Sequence, residues 1–307
     1  MEDKIVGALI GLACGDAVGT TLEFKPRGTF EPLADMIGGG PFRLQPGQWT
    51  DDMSMALCLA HSLIHKQGFD PVDQMNRYCN WYQHGYMSST GHCFDIGMTV
   101  SAALNKYLRT HDPFAGSVEE HSSGNGSLMR LAPIPMVYNS DIEACIHFAG
   151  ESSRTTHGSA ECVDSSRLFA SLIFQAFRTE DKSAIFERNT YNPSSEKVVN
   201  LANRDFLNKG YQDLTGSGYV IESLESALWC FMNGTSFEEC ILLAANIGND
   251  ADTTAAICGQ IAGAYYGVSN IPERWVSKLT LSGDIKDVGR ALMRVSNSAE
   301  DFYQCKT

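Results

Sequence analysis

The stretch GNDADTTAAI, residues 248–257, places two aspartates and two threonines in five consecutive positions before a run of small and apolar residues. An aspartate at a helix start normally accepts hydrogen bonds from the free backbone amides and complements the helix dipole. One aspartate is enough for that role. Asp250, Asp252 and Thr253 stand at i, i+2 and i+3, so at a helix entry their oxygens can converge on one point. Because two close carboxylates repel each other, the pattern predicts a bound proton or cation.

A second stretch of the same type, Trp49-Thr50-Asp51-Asp52, precedes the amphipathic segment that begins at Met53. It again offers hydroxyl and carboxylate oxygens. Hard oxygen ligands favour magnesium, manganese or calcium over zinc or copper, and two such clusters facing each other could hold two ions about 4 Å apart. Either cluster alone is more often a helix cap, whereas the pair favours a metal site.

Helical periodicity recurs along the chain, and few segments alternate strictly between apolar and polar residues. The helical pattern is found at residues 53–65, 166–177, 223–231, 237–245 and 252–266. The connections carry Gly, Pro, Asn and Ser, and none is long or biased enough to be an interdomain linker. The sequence therefore predicts an all-α fold and a single domain over residues 1–307.

The charge and composition of the chain bear on its partners. The formal net charge of −13 gives a field that repels nucleic acid and anionic lipid, and the 23 Lys and Arg form no evident basic patch. The ten cysteines are scattered without a C-x-x-C pair, as is typical of reduced thiols. We predict no nucleic-acid partner.

The N-terminal region has one feature of a targeting signal and lacks another. Residues 5–14 are apolar, but residues 1–4 lack the positive charge of a signal peptide. By the same inspection, no run approaches the roughly 20 apolar residues of a membrane span. We therefore predict a cytoplasmic protein without a membrane partner.

Six motifs follow one another along the chain. They are Gly7-x3-Gly11-x3-Gly15-Asp16-Ala17-x-Gly19 with Glu23 following, Gln48-Trp49-Thr50-Asp51-Asp52, Asp95-Ile96-Gly97, Gly124-Asn125-Gly126-Ser127-Leu128-Met129-Arg130 with Ala132-Pro133, Thr156-His157, and Asp250-Ala251-Asp252-Thr253-Thr254-Ala255. In this order they resemble the ADP-ribosylglycohydrolase family, which includes dinitrogenase-reductase-activating glycohydrolase and the ADP-ribosyl-acceptor hydrolases. The resemblance covers nearly the whole chain and implies an orthogonal multi-helix bundle with a binuclear Mg²⁺ or Mn²⁺ site.

The resemblance implies a set of metal ligands that agrees with the two oxygen clusters. These ligands are Thr50, Asp51, Asp52, Asp250, Asp252 and Thr253. Two neighbouring positions depart from the family pattern: Met53 stands where a threonine often follows the paired aspartates, and Asn249 replaces the commoner glycine. Neither change removes a ligand, although both affect the local geometry of a helix start.

The glycine-rich turn Gly124, Asn125, Gly126 and Ser127 could cradle a phosphate with its backbone amides, although such a turn is usually no more than a turn. The resemblance implies that it contacts the diphosphate or ribose. A single histidine such as His157 is most often a structural group. The resemblance places His157 beside the bound nucleotide and so predicts a substrate-binding residue.

Two carboxylates are predicted to be catalytic. Asp95 could simply cap the helix that Met98 begins, and Glu23 could be a surface residue. The resemblance places Asp95 near the scissile ribose, and Glu23 lies on a loop suited to movement over a site. Either could take or give a proton, and the sequence does not assign acid and base. Asp16 is interpreted as a structural residue beneath the metal loop.

The predicted activity is metal-dependent hydrolysis that removes ADP-ribose from an ADP-ribosylated acceptor, with arginine on a protein preferred. Cleavage of such a bond needs a held ribose, an aimed water and a proton for the leaving group. The alternatives are a non-catalytic ADP-ribose-binding module, a hydrolase acting on ADP-ribosyl-serine or a small ADP-ribosylated compound, and a two-metal phosphoesterase that cuts ADP-ribose itself. We expect a monomer, because no strongly apolar helix is left over for a dimer interface.

Overall fold

The regular secondary structure of the computed structural model is helical throughout the part of the chain that it describes. It describes the backbone of residues 1–304 and the side chains of residues 1–295. The β-type pairings within that part are three isolated bridges, Gly39 with Leu44, Ser117 with His157 and Gly124 with Tyr219. These observations confirm the predicted all-α fold.

The α-helices are α1 (Glu2–Gly19), α2 (Asp51–Lys66), α3 (Pro71–His84), α4 (Met98–Thr110), α5 (Pro133–Val137), α6 (Ile142–Arg154), α7 (Ala160–Ala176), α8 (Lys182–Glu187), α9 (Glu196–Ala202), α10 (Val220–Asn233), α11 (Phe237–Ala245), α12 (Ala251–Tyr266), α13 (Glu273–Val276) and α14 (Ser282–Gln304). Each segment with predicted helical periodicity lies within or almost wholly within one of them. Those helices are α2, α7, α10, α11 and α12.

Helices α1 and α12 pack backbone to backbone at the centre of the protein. A Cβ atom at Gly11 would lie 2.1 Å from the carbonyl oxygen of Gly259, and one at Gly15 would lie 2.1 Å from that of Ala255. Gly7 and Gly19 meet α12 in the same way. Because glycines four residues apart lie on one face of a helix, this motif of α1 forms a groove without side chains that α12 fills.

Helix α1 lies in the one candidate membrane span among the described residues. The segment Glu2–Leu22 has 21 residues and contains an 18-residue window with a mean hydropathy of 1.7, so by length and composition it is long and apolar enough to cross a bilayer. The prediction that no run approaches the length of a membrane span was therefore wrong. The whole of that window is buried within the protein. The apolar character of the segment matches its position as a helix surrounded by other helices.

The buried hydrophobic residues form one cluster that extends from Ile5 to Val295. It includes the fully buried Trp49, Trp81 and Trp275. The cysteines at positions 14 to 258 are free thiols, and all but Cys93 are buried. The single domain predicted over residues 1–307 stays a prediction, and its last three residues lie outside the described chain.

Candidate active site

The two oxygen clusters predicted from sequence meet at the start of α2 and α12. The hydroxyl of Thr253, in the first turn of α12, donates to Oδ1 of Asp52, in the first turn of α2, over 3.4 Å. Of the six predicted ligands, five are buried and Asp250 is half-buried. Residues that are about 200 positions apart in the chain therefore form one buried, oxygen-rich cluster.

Glu23 supplies the cap of α12. Its Oε2 accepts hydrogen bonds from the backbone N–H of Ala251 at 2.8 Å and of Asp252 at 3.4 Å. Asp250, the residue at the N-cap position, makes no side-chain capping bond and instead accepts a 2.8 Å hydrogen bond from Asn125 at its Oδ2. Asp250 therefore does not serve simply as the side-chain cap of the helix that follows it.

Glu23 also lies among the predicted metal ligands. One carboxylate oxygen each from Glu23, Asp250 and Asp252 can be chosen so that all three lie within 4.8 Å of one another, a spacing that can hold a metal ion. The side chain of Glu23 is buried, with 5% of its surface exposed. Sequence reasoning placed this residue on a movable loop and missed its place in the cluster, because its partners are more than 220 residues away.

Asp16 fixes the start of α2 from below. Its Oδ1 accepts hydrogen bonds from both the backbone N–H of Thr50, at 2.8 Å, and the Thr50 hydroxyl, at 3.0 Å. Its Oδ2 accepts the N–H of Met53 at 3.0 Å. These bonds confirm the structural role predicted for Asp16. They also direct the hydroxyl proton of Thr50 to Asp16, which leaves the lone pairs of the hydroxyl oxygen available to a cation.

Two buried oxygens in the cluster fit a metal site. The Oδ2 atoms of Asp52 and Asp252 are buried, and no N–H or hydroxyl donor within the described structure reaches them. The neighbours of Asp252 are the carboxyl groups of Glu23 and Asp95, which could donate to it only when protonated. An unpartnered buried carboxylate oxygen is costly, and a hard divalent cation is a ligand that satisfies it. The donor set is composed of carboxylate and hydroxyl oxygens, which suits Mg²⁺ or Mn²⁺.

The cluster concentrates negative charge in a buried place. Burial, and after it repulsion from Asp252, raises the pKa of four carboxyl groups: Asp250 to about 6, Asp16 to about 8, Asp95 to about 11 and Glu23 to about 12. Burial and the surrounding carboxylates also hold the pKa of Asp51 and Asp52 well above the usual range. The cluster must therefore bind either protons or a cation.

A cavity of about 860 Å³ opens over this cluster. Its wall includes the following predicted site residues: Glu23, Asp51, Asp95, Gly124, Asn125, Gly126, His157, Asp250, Asp252 and Thr253. Thr50, Asp52 and Ser127 do not line it, and all three are buried. The Ser127 hydroxyl accepts a hydrogen bond from that of Ser166 instead, at 3.2 Å.

Two residues beside the cluster adopt backbone conformations that favour glycine. Asp95 has φ of 59° and Asn249 has φ of 58°. Asparagine is among the side chains that tolerate this region best, so Asn249 keeps the helix-start geometry that the commoner glycine would give. Asp95 does not cap α4, whose N-cap is Gly97. Its carboxyl group instead interacts with that of Asp252.

The glycine-rich turn lies opposite the carboxylates. The Asn125 side-chain amide donates to Ser223 Oγ as well as to Asp250, at 2.8 Å each, so this residue ties the turn to the cluster. Within the described residues, the backbone N–H groups of Gly126 and Ser127 donate to no acceptor. Two free amides in one turn can receive an anionic oxygen.

Sequence reasoning noted residues 216–218 as a connection and missed that they belong to the cavity wall. Gly216 packs against Gly248, the first residue of the stretch 248–257, since a Cβ at Gly216 would lie 2.1 Å from the Gly248 carbonyl oxygen. The Asp250 N–H donates to the Gly216 carbonyl oxygen at 3.1 Å. The two glycines at 216 and 218 were the feature of the sequence that could have indicated a close backbone approach there.

Comparison with known proteins agrees with this geometry. The model of the ADP-ribosylglycohydrolase family matches residues 1–301. The chain is 40% identical over 300 residues to ADP-ribosylarginine hydrolase Tri1 of Serratia proteamaculans (strain 568), covering 98% of this chain and 81% of that protein. It is 30% identical over 299 residues to ADP-ribosyl-[dinitrogen reductase] glycohydrolase of Rhodospirillum rubrum, covering 92% of each.

A solved structure described as an ADP-ribosylglycohydrolase-related protein complex has the same fold. It superposes with a TM-score of 0.85 at 40% sequence identity and covers 96% of this chain and 98% of that chain. The family model and these relatives confirm the resemblance drawn from the six motifs. The chain belongs to the ADP-ribosylglycohydrolase family.

Proposed function

We propose that this glycohydrolase removes ADP-ribose from ADP-ribosylated arginine on a protein. Two relatives, 40% and 41% identical to the chain, bear the name ADP-ribosylarginine hydrolase and support arginine as the acceptor. Hydrolysis breaks the bond between the anomeric carbon and the guanidine nitrogen. The oxygen of water bonds to that carbon, and a proton goes to the leaving nitrogen, so that free arginine and ADP-ribose result.

The observation that carries the proposal is the meeting of two oxygen clusters beneath one cavity. We propose that the six ligands predicted from sequence, joined by Glu23, hold two divalent cations, Mg²⁺ or Mn²⁺. The unpartnered Oδ2 atoms of Asp52 and Asp252 support this assignment. When bound, such cations act as Lewis acids and lower the pKa of coordinated water.

The residues of the chain divide the remaining tasks. The free amide of Gly126, which lines the cavity, is suited to hold an anionic oxygen of the diphosphate. Asp95 and Glu23 both line the cavity, and Asp95 is the better placed proton carrier because it does not cap a helix. Glu23 is less free to carry a proton, since its Oε2 is held by two backbone amides at the start of α12.

The proposal is tested by incubating the purified protein with an ADP-ribosyl-arginine protein, with and without Mg²⁺ or Mn²⁺, and identifying the products by mass spectrometry. We expect intact ADP-ribose and unmodified arginine, and only when the metal is present. A peptide carrying ADP-ribosyl-serine serves as the matched substrate. Release from serine alone would contradict the acceptor, and cleavage of ADP-ribose itself would indicate a phosphoesterase. Binding of ADP-ribose without release from either substrate would indicate a binding module.

The other expectations about this protein stay predictions from the sequence. They are a cytoplasmic location, a monomeric state, and the absence of nucleic-acid and membrane partners.

A further inference from the structure

Arg130 is a buried cation without a carboxylate partner. Only 1% of its surface is exposed, and none of the ion pairs among the described residues includes it. Its guanidinium lies 4.7 Å from the centre of the Tyr78 ring. Burying a charge in this way is costly, so its hydrogen bonds indicate what it is placed to do.

The two short hydrogen bonds of Arg130 go to two of the segments that line the cavity, the glycine-rich turn and the segment of His157. Nη1 donates to the Gly126 carbonyl oxygen at 2.9 Å, within the glycine-rich turn. Nη2 donates to the Thr156 hydroxyl at 2.6 Å, next to His157. Arg130 therefore holds the turn and the histidine segment together from behind the cavity wall.

The protons available to Arg130, Thr156 and His157 determine the direction of the two hydrogen bonds at the Thr156 hydroxyl. A guanidinium can only donate, so the Thr156 oxygen accepts from Arg130. The Thr156 hydroxyl is fully buried, and its other partner is Nδ1 of His157 at 2.9 Å. If Nδ1 carried a proton, the hydroxyl proton would be buried without an acceptor, which is unfavourable. The hydroxyl therefore donates to Nδ1.

A histidine that accepts at Nδ1 carries its proton on Nε2 when it is neutral. Burial, with the charge of Arg130, lowers the pKa of His157 to about 3 and keeps the ring neutral. A Cβ atom at Gly126 would lie 3.1 Å from Nε2, and one at Gly124 would lie 3.3 Å from it. Because both positions lack a side chain, no Cβ atom blocks Nε2 of His157, a residue that lines the cavity with 2% of its surface exposed. Nε2 makes no hydrogen bond within the described structure.

We propose that Arg130, acting through Thr156, fixes His157 as the Nε2–H tautomer and so presents one N–H donor to an acceptor oxygen of the bound ADP-ribosyl group. This inference rests on the proposed function for the identity of the ligand. The donor lies beside the free amides of the glycine-rich turn, and it cannot reverse into an acceptor while Thr156 holds Nδ1. Arg130 and Thr156 are positioning residues, and His157 is the residue that contacts the substrate.

The test uses a matched pair of substitutions, because a variant of Arg130 can fail to fold. Thr156→Val removes the hydroxyl and nearly keeps the shape, whereas Thr156→Ser keeps the hydroxyl. The tautomer is read by NMR of protein with ¹⁵N-labelled histidine, with the His157 signals assigned by their loss in His157→Gln. Binding of ADP-ribose to the magnesium-loaded protein is measured by calorimetry.

In the parent protein and in Thr156→Ser we expect an unprotonated Nδ1 and a protonated Nε2. In Thr156→Val we expect this fixed pattern to be lost and the Kd for ADP-ribose to rise about tenfold, as for the loss of one hydrogen bond. A protonated Nδ1 in the parent protein would overturn the proposal, as would equal affinities of the Val and Ser variants.

These measurements do not depend on turnover. A protein that shows the Nε2–H tautomer and the difference between Val and Ser, yet releases no ADP-ribose from arginine, would contradict the proposed acceptor and leave the positioning of His157 intact.

Discussion

At the start of α12, capping and ligand binding are divided among three acidic residues. Glu23 accepts the hydrogen bonds of the first free amides, and Asp250 is engaged by Asn125. Asp252 keeps an unpartnered Oδ2 inside the cluster. The close spacing of Asp250 and Asp252 indicated in the sequence that one cap would not use both carboxylates. The acceptor that caps α12 in their place, Glu23, could not be predicted, because the fold brings it to α12 from a distant part of the chain.

Asp252→Ala should abolish metal binding and turnover while the fold is retained. The substitution removes a central carboxylate and its repulsion of the other carboxyl groups, so we expect the metal-free variant to be no less stable than the parent. Metal binding is measured by calorimetry, helix content by circular dichroism and turnover by ADP-ribose release.

The matched control is Asp70→Ala, at the N-cap of α3, where the side chain accepts from the N–H of Val72 and Asp73. It should cost about 1 kcal/mol of stability and leave metal binding unchanged. An Asp252→Ala protein that hydrolyses substrate without metal would refute the role assigned to this residue.

Asp16→Asn should weaken metal binding by about 10- to 100-fold, as for loss of an outer partner of a metal ligand. The amide nitrogen of asparagine cannot accept a hydrogen bond, so either Thr50 or Met53 loses its acceptor. The affinity for Mn²⁺ is measured by titration calorimetry.

Asp164→Asn is the control for that substitution. Asp164 is also a buried aspartate, and it accepts the backbone N–H of Ser194 and Ser195 away from the cavity. An Asp16→Asn affinity equal to that of the parent protein would show that Asp16 supports the fold alone.

At the scale of elements, the packing of α1 against α12 determines where the site forms. Asp16 lies next to Gly15, which contacts α12 near Ala255, while Asp16 itself reaches the start of α2. The glycine motif thus sets α12 close enough to α1 for both oxygen clusters to share one place. In the sequence this motif was evident only as a family resemblance. Its role in packing could not be predicted, because the sequence does not show which helix lies against these glycines.

Gly15→Ala should destabilise the protein by about 3 kcal/mol, at the upper end of the cost of overpacking. The added Cβ would lie 2.1 Å from a backbone oxygen of α12, so the two helices must move apart. Gly283→Ala is the control, because Gly283 also lies in a helix, α14, and a Cβ atom there would meet no atom within 4 Å. It should raise stability by up to about 1 kcal/mol. Urea unfolding measures both, and equal midpoints would contradict the close packing.

At the scale of the whole molecule, the cluster should make stability depend on pH and metal together. The pKa values of Asp250, about 6, and Asp16, about 8, lie above the ordinary value of 3.8, so the folded metal-free protein holds protons that the unfolded chain has released. This stabilisation is complete below pH 3.8 and is lost as the pH rises through about 6 and then about 8. For each such carboxyl group, the free energy of unfolding falls by about 1.4 kcal/mol per pH unit between the ordinary pKa and the pKa in the folded protein.

Magnesium should remove that dependence, because it replaces the protons as the counter-charge. We therefore expect the difference in Tm between magnesium-loaded and EDTA-treated protein to grow from pH 5 to pH 8. Scanning calorimetry at a series of pH values measures it. A constant difference, or one that shrinks as the pH rises, would contradict the buried charge cluster.

The sequence predicted the fold class and most of the residues that lie together around the cavity, and the exceptions have physical reasons. Helix α10 shows its periodicity because the half-buried Glu222, Glu225 and Trp229 recur on one face between buried residues. Helix α1 is buried on every side from Ile5 to Gly19, so it has no such period and was weighed as a targeting segment. Glu23 and residues 216–218 enter the site through contacts between distant parts of the chain, which no local pattern records.

The central claim is that the clusters at the starts of α2 and α12 form one metal site on which hydrolysis depends. The most direct test is calorimetric titration of Mn²⁺ or Mg²⁺ into EDTA-treated protein, with ADP-ribose release measured at each metal concentration. We expect saturable binding of two ions per chain, with release appearing over the same range of concentrations. Full release of ADP-ribose by metal-free protein, or the absence of saturable binding, would contradict the claim.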